Sequence, residues 1–463
     1  MRREFVKISK SKLTIAAASV VSALGLGIQT QNVEAANWLM LQGTEPNGTA
    51  GRAKVWGFVQ PEYQHIKGST VPAGKWKGNP MQPNTLGPDR NSSSGFNIRR
   101  ARIGVRGQGF PLDGNTNYFI LGEFGHNGVT SAGKDNKGGG AKLTDASITL
   151  NHIPFARLRV GQFKYPGSEE GLQAIHVFDY INFTNGADQL LLERFANGDG
   201  SSTYDKSATD FQNGPVNSPN GGVGAFRDIG IQLFDTIKTK GWEHSYAFMI
   251  GNGNGINRQD NNSKKDFYGY LSTEMIFGGK GGRRQGVKLF GWGHMGKRSL
   301  EQAGEIKEDV DRNRYGVGFT FRKAKYRAAA EYIMASGLIR NGTDGAAKIG
   351  STASANGVTP SLNYLTDDEA SAYYVHLGYQ VLKKLELDLR YDVLNRATKV
   401  AKNERKWQTI TLGAQYFINK KTRITVNYEI RSLEAPGHAD TAGPNIIGDE
   451  LDNRASVQML AIF

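Results

Sequence analysis

The sequence predicts an all-β protein, a transmembrane antiparallel β-barrel of about 16 strands with long outer loops. Three observations carry that prediction. After residue 35, no stretch of the 463-residue chain comes near the roughly 18 consecutive apolar residues of a membrane helix. About 16 segments alternate apolar and polar residues, a period that sends successive side chains to opposite faces of a strand. The connections between them are short and long in strict alternation, as when turns lie on one side of a membrane and loops on the other. A soluble sandwich has no reason to sort its loops in this way.

The clearest segment is 96–107, Phe-Asn-Ile-Arg-Arg-Ala-Arg-Ile-Gly-Val-Arg-Gly. Arg100, Arg102 and Arg106 share one parity; Ala101, Ile103 and Val105 share the other. One face is small and oily, and the other must meet water because an unpaired buried cation is costly. An Arg on the lipid face near the midplane costs about 2–4 kcal/mol, so a one-residue slip here would cost on the order of 6–12 kcal/mol. The arginines are therefore expected to face the lumen.

The remaining segments follow in order: 54–63 before it, then 118–124, 143–150, 156–163, 228–234, 245–250, 267–275, 287–292, 314–321, 326–334, 371–379, 385–392, 407–417, 423–431 and 454–463. Short turns are expected at Ile153-Pro154, Arg322-Lys323-Ala324, Leu382-Lys383-Lys384 and Asn419-Lys420-Lys421. Long polar connections are expected at 65–95, 125–141, 164–225, 252–265, 294–311, 335–368, 393–405 and 432–453. An even strand count puts both ends of the barrel on the short-turn, periplasmic side. The last segment aligns Ala455, Val457, Met459, Ala461 and Phe463 on one face and stops on the aromatic. Pairing it with the first segment would close the barrel and remove edges that lipid does not tolerate.

Composition narrows the class further. The 59 glycines and 40 Tyr plus Phe suit turns and aromatic girdles. The absence of Cys excludes disulfides, thiolate metal sites and cysteine nucleophiles, and fits passage through an oxidising periplasm. Residues 1–35 read as a secretory signal: a basic start (Arg2, Arg3, Lys7, Lys10, Lys12), an apolar run over 13–28, and small residues at Val33 and Ala35. The alternative, a membrane anchor, suffers from the run's shortness and its Ser and Gly. Residues 36–52 are then a periplasmic lead-in and 53–463 the barrel. The signal carries five Lys/Arg against two Glu, which leaves +11 of the chain's +14 charge after cleavage. For an exported chain that balance favours small anions or anionic lipid over nucleic acid.

Segment 156–163 repeats the device of segment 96–107. Arg157 and Arg159 alternate with Ala156, Leu158 and Val160, and Lys164 follows at the rim. Guanidinium forks match oxyanions, and a ladder of Arg in a pore favours anions. The third loop, 164–225, is the longest; loops of that length are usually functional, and this one is expected to fold into the lumen.

The run Arg159-Val160-Gly161-Gln162-Phe163-Lys164-Tyr165-Pro166-Gly167-Ser168-Glu169-Glu170, closed by Leu190-Leu191-Leu192-Glu193-Arg194, resembles the phosphate-selective porin O and P family. The Arg-Arg-Ala-Arg of segment 96–107 is similar too. The resemblance spans the layout of the mature chain but only 96–194 in motif. It implies a 16-stranded outer-membrane porin, usually a homotrimer, with an arginine ladder for small anions such as phosphate. Its other neighbours would be membrane lipid and lipopolysaccharide of a Gram-negative bacterium. Arg99, Arg100, Arg102 and Arg106 sit where the ladder would lie, Arg99 with the wrong parity unless a bulge intervenes. Glu169, Glu170, Glu193 and Arg194 belong to the constricting loop. Leu192 stands where the family often has Met, and loop three lacks an obvious lysine run.

A second reading stays open. Residues 164–194 carry net −3, and an acidic loop opposite a basic wall is how a general porin builds a transverse field. A scaffold barrel around a partner protein is a third. An enzyme is not expected: no Gly-x-Ser-x-Gly elbow occurs, and no Ser, His and Asp group is legible at the rim. Gly291-Trp-Gly-His-Met-Gly-Lys297 nearly fits a phosphate loop, but Arg298 replaces the hydroxyl residue and no helix follows; it reads as a strand rim. The eight histidines lack zinc spacing, and Asp199 and Asp205 read as solvated loop rather than a calcium site. No metal and no cofactor are expected.

Overall fold

The computed structural model describes residues 37–40, 53–73, 78, 81, 93–108, 113–127, 141–193, 217–219, 226–279, 284–302, 305–341 and 363–463. Its strands are β1 (Lys54–Ile66), β2 (Ser94–Gln108), β3 (Thr116–Glu123), β4 (Lys142–Leu150), β5 (Arg157–Lys164), β6 (Asn217–Pro219), β7 (Arg227–Thr239), β8 (Trp242–Gly251), β9 (Asp266–Gly278) and β10 (Gln285–Gln302). They continue with β11 (Glu305–Lys323), β12 (Tyr326–Asn341), β13 (Asn363–Leu382), β14 (Leu385–Arg396), β15 (Arg405–Phe417), β16 (Thr422–Glu434) and β17 (Arg454–Ile462). Each strand pairs antiparallel with its chain neighbours, except that β5 pairs with β7 directly. β1 pairs with β17, so the sheet closes into a barrel of sixteen staves. The three-residue β6 lies within the third outer loop and adds to β10 at Leu300–Gln302.

All sixteen expected segments are strands, but several run further than the alternation indicated. Residues 294–302 and 305–311 are strand, not loop: β10 and β11 stay paired from His294 opposite Arg314 to Gln302 opposite Glu305. The Gly291–Lys297 motif therefore lies inside a strand, not at its rim. β12 and β13 likewise pair out to Asn341 opposite Asn363. Beyond the membrane both faces of a hairpin meet water, so the period-two signal fades while the backbone ladder continues.

The facing agrees with the alternation. Ile103 is 49% exposed and Arg102 only 5%. Ile120, Ile148, Val160, Leu289, Leu412 and Val457 present apolar surface outward, where lipid satisfies it. Trp242, Phe277, Tyr326, Tyr379, Tyr416 and Phe463 form an exposed aromatic row near the short turns, as expected at a membrane interface. Glu123, Asp145, Glu331, Glu386, Asp388, Glu429, Arg312, Arg314, Arg327, Arg390 and Arg423 all turn inward and are buried.

Two local devices position the site. The β1–β2 register shifts between Gln60 and Pro61, where Gln60 faces Arg100 and Pro61 faces Ile98. The extra residue is Arg99, and the bulge turns both Arg99 and Arg100 into the lumen. Pro61, which cannot donate to a ladder, sits at this irregularity. At the seam, Phe463 N donates to Gly57 O at 2.9 Å and Gly57 N to Phe463 O at 3.2 Å. A Cβ on Gly57 would stand 2.4 Å from the Phe463 ring and 2.5 Å from Arg102 O, so only glycine lets the last residue close the barrel there.

Candidate functional site

The third loop leaves the wall at Lys164 and crosses the lumen. Lys164 Nζ donates to the carbonyls of Leu172 and Gln173 at 3.4 and 2.8 Å, holding the end of a one-turn helix, Glu169–Leu172. Ser168 Oγ donates to Glu331 Oε2 at 2.9 Å, and Trp292 Nε1 donates to Glu331 Oε1 at 2.8 Å. Glu169 pairs with Lys288 on β10 at 2.5 Å. His176 then packs over Trp56 and Phe58 of β1, ring centroids 5.8 and 5.3 Å away. Phe178 O accepts from Arg423 at 2.7 Å, and Asp179 pairs with Arg327 on β12 at 2.5 Å. Asn182 accepts from Arg99 Nη1 and donates to Glu429 Oε2, both at 2.9 Å. Glu170 pairs with Arg390 on β14 at 3.3 Å.

The crossing ends in a widened helical turn, Ala187–Leu192, terminated by Glu193 at φ 45°. The Glu193 carboxylate accepts from Arg312 Nε at 3.1 Å and Arg314 Nη2 at 2.9 Å. Leu190 O accepts from Arg314 Nε at 2.9 Å. The described stretch 164–193 is thus clasped at its start, at its end and at several points between.

Four acids of this loop reach the same side of the barrel. Glu169, Glu170, Asp179 and Glu193 meet cations of β10, β14, β12 and β11. The opposite wall holds the cations of β2 and β5. Arg102 pairs with Glu123 at 2.7 Å, and Arg99 with Glu62 at 3.2 Å. Arg100 Nη1 donates to Gln60 Oε1 at 3.1 Å. Arg106 lies 5.9 Å over the Trp56 ring. Arg159 donates to Thr149 Oγ1 at 3.2 Å and sits between Phe163 and Phe234, 5.5 and 4.4 Å from their centroids. Arg157, nearer the short-turn end, is 3.6 Å from Asp235. Arg227, just before the expected sixth segment, joins this wall through Asp145 at 3.0 Å.

Among the expected residues the structure thus brings Arg100, Arg102, Arg106, Arg159 and Lys164 into one wall. It places Glu169, Glu170 and Glu193 against the other. Arg194, Asp199 and Asp205 lie outside the described residues. Lys288, Arg312, Arg314, Arg327 and Arg390 hold the loop but were not singled out as site residues. Inward parity was their sequence signal; which of them the loop would touch was not written in it.

Glu170 and His176 of the loop have displaced proton affinities. Burial pushes the Glu170 carboxyl up to about 7, against the pull of Arg390 and the Thr184 hydrogen bonds. Burial, with the nearby Lys164 and Arg423 charges, pushes His176 down to about 4, so this ring is neutral at ordinary pH.

The model of the family described as phosphate-selective porin O and P matches residues 84–187 and 295–436, just over half of the chain. The chain belongs to that family. Matched regions include the bulged β2, β5, the crossing loop as far as Ala187, and β11 to β15, so the β2–β5 wall and Arg312, Arg314, Arg327 and Arg390 of the other wall fall within them. An anion-selective porin from Comamonas acidovorans superposes at TM-score 0.50 and 14% identity over 89% of this chain and 99% of that one. A Salmonella typhi OmpF complex with daunomycin gives 0.51 and 11% over 89% and 97%. At those identities they establish a shared barrel architecture. A search of curated protein sequences found no match. The porin is a channel protein of the Gram-negative outer membrane.

Proposed function

We propose that this porin gives passive diffusion to small anions, phosphate among them, through a lumen whose attraction comes from the β2–β5 wall. One observation carries the reading. Among the described residues, Arg100, Arg159 and Lys164 donate to neutral groups, namely Gln60, Thr149 and backbone carbonyls, while the nearby carboxylates of Glu62, Glu123 and Asp145 pair with Arg99, Arg102 and Arg227. Of the described loop acids, Glu169, Glu170, Asp179 and Glu193 are committed to the far wall. A passing oxyanion exchanges part of its hydration shell for these donors and leaves because no single site holds it tightly. The protein works as a homotrimer, its outer face in contact with membrane lipid and lipopolysaccharide.

A general porin with a transverse field needs loop carboxylates open to the lumen opposite the basic wall. Pairing of Glu169, Glu170, Asp179 and Glu193 with Lys288, Arg390, Arg327 and Arg312 weighs against that version.

Chloride current through single channels, titrated with phosphate, tests the proposal. Phosphate occupying the wall is expected to lower the current saturably, and Arg100→Ala to weaken that block. No block in the parent porin, or an identical block in the variant, overturns it.

A further inference from the structure

Residues 37–40, Asn-Trp-Leu-Met, precede β1 in the chain, yet they are buried in the lumen, none more than 9% exposed. They form a tight turn: Met40 N donates to Asn37 O at 2.9 Å, and Leu39 N to Asn37 Oδ1 at 3.1 Å. Their contacts are specific. Asn37 Nδ2 donates to Glu243 Oε1 at 3.1 Å and also to Ser245 Oγ on β8. Trp38 Nε1 donates to Glu169 Oε1 on the crossing loop at 3.1 Å. Arg157 Nη1 of β5 points at Met40 Sδ, 3.4 Å away. Trp38, Leu39 and Met40 join the apolar cluster that contains Phe163, Leu172 and Phe290.

Position gives this turn its meaning. Arg157 and Glu243 stand near the short-turn ends of β5 and β8, and Glu169 stands at the constriction. The turn therefore spans the lumen between the periplasmic mouth and loop three. Trp38 also lines a cavity beneath that loop, about 110 Å³ in volume and bordered by Lys288, Arg284, Arg327, Arg390 and Phe178. Glu243 is itself held by Arg284 at 2.8 Å and Lys238 at 3.3 Å, so the seat is built from the wall and does not depend on the turn.

We infer that residues 37–40 are a removable stopper: the periplasmic half of the lumen is a docking site whose occupant is this chain's own leading segment. Seated, the stopper narrows the vestibule and fixes Glu169 through Trp38. Released, it widens the path without unfolding the barrel, because three hydrogen bonds and three apolar side chains are exchanged for water. The seat rests on the same lumen as the anion reading but concerns how much current passes, not which ion carries it.

The cysteine-free chain makes the test clean. Single-channel conductance is compared for the parent porin, for a chain lacking residues 37–40, and for Asn37→Cys/Ser245→Cys, oxidised and then reduced. Folding of each is checked by its shift in gel mobility on heating. The deletion is expected to raise conductance about two-fold by clearing the vestibule. The oxidised pair is expected to hold one low level and to regain the parent's openings on reduction. Where deletion compromises folding, Trp38→Ala and the oxidised pair carry the same comparison. A folded deletion variant with parental conductance, or a Cys pair whose current ignores its redox state, overturns the stopper. Ion selectivity measured alongside keeps failure of this inference separate from failure of the anion reading.

Discussion

Glu193 is one carboxylate serving two arginines, and removing its charge gives the sharpest test of how the crossing loop is held. The side chains of Arg312, Arg314 and Glu193 are 0%, 1% and 3% exposed. Glu193→Gln keeps shape and the left-handed backbone but leaves two buried guanidiniums without their counter-charge. Breaking a buried ion pair from one side costs about 3–5 kcal/mol, and two charge-assisted hydrogen bonds at about 1.5–3 kcal/mol each give about 3–6 kcal/mol. Lumen water can reach a strained loop end, so about 3 kcal/mol is the working figure. Unfolding in urea, followed by tryptophan fluorescence in detergent, reads the loss. Adding Arg314→Met should recover part of it, because one of the stranded charges goes with it. A Glu193→Gln protein within about 0.5 kcal/mol of the parent would refute the clasp, since that is the scatter of an ordinary surface change.

Other consequences follow from the same geometry. Glu170, with its carboxyl near 7, is neutral below that pH and charged above it; protonation removes a negative charge from the constriction, so anion preference should rise from pH 8.5 to pH 5.5. Reversal potentials check this, and Glu170→Gln should flatten the profile. Gly57→Val pushes a side chain into the Phe463 ring and Arg102 O; overpacking of about 1–3 kcal/mol at the seam should lower the yield of heat-modifiable barrel. Ile103→Arg places a charge on lipid and should cost about 2–4 kcal/mol in bilayer refolding, with no such loss for Ile103→Leu.

The barrel was legible because lipid enforces a rule the sequence must obey. Every second residue of Leu385, Leu387 and Leu389 is greasy, and Glu386, Asp388 and Arg390 between them face inward. Where lipid ends, the rule ends, which is why Lys297 to Gln302 looked like loop and proved to be strand. The basic stripe of β2 was legible for the same reason, and even Arg99 carried its own hint, since consecutive arginines with opposed parity require a bulge. The partners of loop three were not legible. Asp179 with Arg327 and Asn182 with Arg99 are separated by 148 and 83 residues, and no local pattern encodes which wall a loop will lean on. Nor did residues 36–52, read as a periplasmic lead-in, announce that Trp38 would sit beside Glu169.

The measurement closest to the heart of the account is the zero-current potential of the parent porin in a planar bilayer with a potassium chloride gradient. Chloride should carry most of the current, with a potential of the sign set by the anion. A potential of the opposite sign would mean that the β2–β5 cations do not govern passage, and the arginine wall would lose its assigned role.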